Sequence, residues 1–200
     1  MDTLSILEED LRAYREHWQP GPETPYQNFQ DFIHSTTECC ERTHQSGHCT
    51  GSALIVDPTG SKTLLLFHPF LKRWLQPGGH ADGSFDLQAV AHREAEEETG
   101  LSMASLIPAR LGDSHRTPLD MDIHAIPARP ERKEAAHYHY DLRFLFIADP
   151  ALALSPESPD MKLSWMPLGK VEAVTSEESV LRMIRKVQKL PRRADGSLEL

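Results

Sequence analysis

The chain has 200 residues, 39% of them hydrophobic and 26% charged, a balance that excludes fibrous and fully disordered classes and suits one domain, alone or with a short extension. Lys and Arg total 21 against 30 Asp and Glu, a formal net charge of −9, and so acidic a surface argues against nucleic acid as a partner. The densest apolar run, Leu64 to Phe67, falls far short of the roughly 20 residues of a membrane span; with an acidic start unlike a signal peptide (Asp2, Glu8, Glu9, Asp10) and three cysteines, this makes the cytoplasm the expected compartment.

Residues 1–46 read as a helical extension and 47–200 as the main domain. Leu4, Leu7, Leu11 and Tyr14 recur at spacings of three and four, predicting a first helix. A second is expected over about 26–42, after the Pro20-Gly21-Pro22 break, with Phe29, Phe32 and Ile33 on one side. Such short helices make no core alone, so they must dock on the main domain or on another subunit, as a lid or a homodimer interface. From Cys49 the pattern turns to strands: Ser52 to Val56, a turn at Asp57-Pro58-Thr59-Gly60, Thr63 to Phe67, and a short piece ending Trp74-Leu75-Gln76.

Pro77 to Gly83 reads as a turn-rich loop leading, through an N-cap at Ser84, into a helix that ends at Gly100. Extended segments are expected near 104–111, 119–126 and 137–147, then a Ser/Pro-rich loop from Leu154 to Pro159 and a strand over 162–166. Ser176 to Lys189 closes the chain as an amphipathic helix with Val180, Leu181, Ile184 and Val187 inward. Strands mixed with helices predict an α/β layer arrangement.

The helix before Gly100 carries the most information. With Leu87 at zero and about 100° per residue, Glu94 and Glu98 fall inside the arc of Val90, Ala91 and Ala95, Glu97 lies on its edge, and Glu96 points away. A solvated charged helix with Arg93 as surface partner is the plain alternative. The phase opposes it: carboxylates three and four apart on an apolar face repel one another and lose hydration, so something positive must sit there. Clustered carboxylate oxygens suit Mg²⁺ or Mn²⁺, ions that also bind substrate phosphates.

At these residues the sequence resembles the Nudix hydrolase family. The family box runs Gly, five residues, Glu, seven residues, Arg-Glu, an aliphatic, any residue, Glu-Glu, any residue, Gly, an aliphatic. Gly79, Arg93, Glu94, Glu97, Glu98, Gly100 and Leu101 match in register, Ala95 stands in for the first aliphatic, and Phe85 replaces the first Glu. The resemblance implies an α/β/α sandwich with a mixed sheet over about 49–190, preceded by the N-terminal helical extension. It also implies Glu94, Glu97 and Glu98 as ligands of Mg²⁺ or Mn²⁺, Arg93 as their brace, and two glycines shaping the loop and the helix end. The implied activity is metal-dependent cleavage of a diphosphate linkage in a nucleoside diphosphate derivative, with one of the glutamates or an acid from a later loop taking the proton of the attacking water. Phe85 removes a supporting carboxylate that Asp82 or Asp86 would have to supply.

Alternation over 137–147 places His137, His139, Asp141 and Arg143 on one face and aromatic residues on the other, and 119–126 places Asp120, Asp122 and His124 likewise. If the two segments pair, His124 meets His137 and Asp122 meets His139. This polar row is either the wet side of an edge hairpin or a substrate wall in which imidazoles and Arg129 contact phosphate or His and Asp hold a second metal. Gly79 and His80 join the candidate substrate contacts, with Lys72-Arg73 as weaker ones. Cys40, His44 and His48 recur every four residues and would share a face for zinc only on a continuous helix.

Two further readings stay open. One is an enzyme like the isopentenyl diphosphate isomerases, which needs a cysteine over the site, whereas all three cysteines precede or open the first core strand. The other is a non-catalytic nucleotide-binding regulator, which predicts a damaged glutamate helix.

Overall fold

A computed structural model of the chain describes residues 3–18, 23–130 and 134–199. The Pro20-Gly21-Pro22 break lies outside them. The strand Gly47–Val56 (β1) is buried along its whole length because it has neighbours on both sides and helices on both faces. It runs parallel to His137–Ile147 (β7) in an unbroken register from Gly47 opposite Tyr138 to Val56 opposite Ile147. Its other edge is shared by Lys62–His68 (β2) and the short Gly78–His80 (β4), both antiparallel. Arg73–Leu75 (β3) and Lys162–Pro167 (β8) pair with β2, while Ile107–Pro108 (β5) and Asp120–Ile126 (β6) pair with β7, all antiparallel.

Alternation along β1 sends Ala53 and Ile55 to one face and Leu54 and Val56 to the other. The first face packs under Leu87–Thr99 (α3) and under Thr3–Trp18 (α1) and Glu23–Ser35 (α2), which contribute Leu7, Leu11, Phe29 and Ile33. The second is covered by Glu178–Gln188 (α4) through Val180, Met183, Ile184 and Val187. The expected α/β/α sandwich with a mixed sheet and N-terminal helices is thus what the chain forms. The Phe29, Phe32 and Ile33 side is buried within the chain itself. No helix among the described residues is long and apolar enough to cross a membrane.

Several expectations are corrected. The second helix starts at Glu23 and stops at Ser35, not near 42. Ser35 Oγ donates back to the Phe32 carbonyl at 2.7 Å, a local bond that competes with continuing the helix, and Cys39 is drawn to the sheet by the Cys49 N–H. Gly78–His80 is a strand within the expected loop. The cap of α3 is Asp86, which accepts from the Ala89 N–H at 3.0 Å, while Ser84 accepts from the Asp86 N–H. The extended region near 104–111 holds only β5, preceded by a short 3₁₀ turn over Met103–Ser105. A second such turn, Leu168–Ala173, precedes the last helix, where Met183 is buried and Leu181 only partly so.

Candidate active site

Helix α3 docks on β1 through Gly51, where a Cβ would fall 2.4 Å from the Leu87 carbonyl oxygen. That close approach brings the glutamate face under β4. Glu98 accepts the Gly78 N–H at 3.0 Å, and burial, reinforced by Glu94 and Glu157, pushes its carboxyl up to about 8 despite that bond. The Glu94 side chain is 16% exposed and lies 2.8 Å from Arg93 Nη1; burial raises its pKa too. Glu97, on the edge of the arc, is 51% exposed and 3.3 Å from the same guanidinium. Arg93 also donates to the His80 carbonyl at 3.3 Å, tying the helix to β4.

Phe85 is part-buried and packs against the core. Neither aspartate stands free to replace the missing carboxylate: Asp82 pairs with Arg42, and Asp86 caps α3 while bonding Arg116 at 3.1 Å. Sequence reasoning missed Glu157, whose charge acts on Glu94 and Glu98 from the Ser/Pro-rich loop. An acid in a loop carries no periodicity, so no local pattern would have singled it out. Glu94, Glu97, Glu98 and Glu157 outnumber Arg93 and the more distant Arg42, whose charge also acts on Glu94, and carboxylate oxygens are the donors a hard divalent cation takes.

His80, next to Gly79, belongs to the opposite face of the sheet. His48 is directly opposite His139 across β1 and β7, and Thr50 is opposite His80 across β1 and β4, so these side chains share one face. The His48 ring centroid lies 5.0 Å from that of His80 and 4.8 Å from those of His137 and His139. His48 is 2% exposed, and neither of its ring nitrogens has a hydrogen-bond partner. Leaving a buried polar group unpaired costs about 1–3 kcal/mol. Burial, then the neighbouring imidazoles, push its pKa down to about 4. His139 is lowered for the same reasons, first by burial and then by His124 and His48. These two rings are neutral near pH 7.

The pairing of β6 with β7 sets His124 opposite His139, Asp122 opposite Asp141 and Ile126 opposite His137, two residues away from the expected register. Nor is β7 an edge strand with a wet side, because β1 and β6 flank it. The far half of its polar row is a buried charge network. Arg143 meets Asp141 at 2.7 Å, Asp122 at 3.0 Å and Asp120 at 3.4 Å, and Arg182 and Lys186 of α4 add charge on Asp120 at 2.6 and 2.9 Å. Thr50 and Ser52 donate hydroxyls to Asp141. His124 is oriented by Asp122 at 3.0 Å, Arg129 is held near Glu134 at 3.6 Å, and Arg73 is taken up by Glu177 at 2.8 Å.

Residues 36–46 form turns, so Cys40, His44 and His48 do not share a helical face. His44 Nδ1 instead bonds the Gly47 carbonyl, and the buried Cys39, Cys40 and Cys49 sulfurs lie within 4.8 Å of one another.

A NUDIX domain model matches residues 50–186. No curated protein matches the chain. Among solved structures, the chain is similar in fold to an E. coli dihydroneopterin triphosphate pyrophosphohydrolase, at 13% identity and a TM-score of 0.52 over 69% of this chain and 92% of that one. It is likewise similar to the M. smegmatis Nudix hydrolase RenU, at 16% identity and a TM-score of 0.51 over 72% and 85% of the two chains. A C. elegans Ap4A hydrolase superposes at 18% identity and a TM-score of 0.50, over 70% and 95%.

Proposed function

This chain belongs to the Nudix family of hydrolases, and from that premise we propose that it cleaves a diphosphate linkage in a nucleoside diphosphate derivative with the help of Mg²⁺ or Mn²⁺. The observation that carries the reading is Glu98, a half-buried carboxylate beside Glu94 and Glu157 that is met by a backbone N–H and not by a cationic side chain among the described residues. Carboxylates largely withdrawn from water and short of positive charge call for a cation. When bound, that cation neutralises charge on the diphosphate and makes an attacking water more acidic.

In this reading Glu94, Glu97 and Glu98 hold the ion. Gly78 orients Glu98 through its N–H, and Arg93 braces Glu94 and Glu97 while fixing the His80 carbonyl. Glu97 and Glu157 are the more exposed acids, suited to accept the water's proton. The candidate substrate contacts are Gly79 on the glutamate face of β4 and, across that strand, His80, His124, His137 and His139, with Arg129 as a further one. Residues 47–200 form the catalytic unit, and 1–46 are an extension that buttresses it.

The test is a panel of nucleoside triphosphates, nucleotide sugars, dinucleoside polyphosphates and isopentenyl diphosphate, run with Mg²⁺ and with Mn²⁺ beside a Glu98→Gln control. Metal-dependent hydrolysis of one class, lost in the control, is the expected result. Turnover within about threefold in the control, under roughly 0.7 kcal/mol, would overturn the assignment.

A further inference from the structure

We infer that His48, His80 and His139 form a second metal site, for a transition-series divalent ion with Zn²⁺ foremost, separate from the glutamate cluster. The three residues come from three strands, β1, β4 and β7, and each offers a ring nitrogen within 4.8 Å of the others. Ligands around a tetrahedral ion at 2.0–2.1 Å sit about 3.3 Å apart, so modest side-chain rotations close the set. The second, independent observation is His48 itself: it is buried to 2% exposure, its ring neighbours those of His80 and His139, and neither nitrogen has a partner. An ion is the partner that a buried imidazole lone pair in this position lacks.

His137 lies beside this set, its ring centroid 5.1 Å from that of His139. Its Nδ1 is 2.8 Å from the Ala135 carbonyl, which can only accept, so that nitrogen carries a proton. Its Nε2 is turned toward His139 Nε2 at 3.3 Å and lies 3.7 Å from Glu134 Oε1. Anchoring one ring nitrogen on a carbonyl so that the other points inward is the outer support that histidine metal ligands use. Imidazoles without thiolate select Zn, Cu, Ni or Fe over the hard ions that carboxylates prefer. Three histidines leave a position open to water or to a substrate oxygen. Gly79 lies against Glu94 on one face of β4 and His80 points to the other, so a single strand separates the two centres.

The test uses Co²⁺ as a spectroscopic probe and Zn²⁺ as its competitor, titrated into the full chain. One equivalent of Co²⁺ should bind with the visible absorption of a nitrogen-ligated ion, be displaced by Zn²⁺, and persist in Glu98→Gln. In His48→Gln and His139→Gln, affinity should fall at least about 100-fold, because loss of even an outer partner costs about 10- to 100-fold. His80→Asn, at a more exposed position, serves as the variant whose folding is safest, with circular dichroism as the check. Absence of Co²⁺ binding in the wild type, unchanged affinity in His80→Asn, loss of binding in Glu98→Gln, or a sulfur charge-transfer band placing the ion on Cys39, Cys40 and Cys49 would each overturn the site.

Discussion

Gly79 rests on the carboxylate of Glu94: a Cβ at that glycine would fall 2.4 Å from Glu94 Cδ and Oε2. Nothing but hydrogen fits between strand β4 and the acid, so Gly79→Ala must push Glu94 aside or lift the strand. Since misplacing a catalytic group by about 1 Å costs up to about 100-fold, turnover should drop by at least about tenfold with the melting temperature nearly unchanged. Steady-state kinetics beside thermal unfolding separate the two effects, and full activity in the Gly79→Ala variant would show that Glu94 has no positional role.

Glu98 links the same acids to pH. Its pKa is raised from 4.5 to about 8, first by burial. A raised acid holds its proton more tightly when folded, so ionising it weakens the fold as pH rises from about 4.5 to about 8, with no further loss above. Without divalent ions, the wild type should therefore lose stability over that interval more steeply than Glu98→Gln. Asp10, raised to about 7 mainly by burial, contributes equally to both proteins and cancels. Parallel melting curves against pH would contradict the prediction.

The buried network on β6, β7 and α4 balances Asp120, Asp122 and Asp141 against Arg143, Arg182 and Lys186. Arg143→Met leaves three carboxylates with one cation fewer at the most buried point. Breaking such a pair costs about 3–5 kcal/mol, readable as a large fall in the denaturant midpoint. A loss below about 1 kcal/mol, typical of a surface ion pair, would mean that water screens the network.

The cap of α3 offers a smaller and sharper contrast. Asp86→Ala removes both the bond to the Ala89 N–H and the ion pair with Arg116, and should cost about 1–2 kcal/mol. Ser84→Ala, two residues earlier, should change stability by less than about 0.5 kcal/mol. Equal effects in denaturant unfolding would reassign the cap.

Much of the glutamate helix was legible because its information is local. The phase of Glu94, Glu97 and Glu98 against Leu87, Val90 and Ala91 follows from 3.6 residues per turn, and the exposures of Glu94 and Glu97 reproduce the order that the phase predicts. Errors of boundary arose where side-chain bonds compete with the backbone, at Ser35 and at Ser84 against Asp86. Strand β4 carries no strand signal of its own because two of its three residues are glycines, and only the partner strand reveals that they pair.

By itself, then, the amino-acid order determined the spaced glutamate motif, the helix that carries it and the alternating polar row on β7, all of which are short-range periodicities. Only the tertiary structure decided that β1 lies parallel to β7 with His48 beside His139, that β6 pairs two residues away from the expected register, and that Glu157 returns to Glu98 from a distant loop. Strand register and loop return are set by which long-range pairing buries the most surface for its closure entropy. That is a property of the whole chain, and no window of it contains the answer.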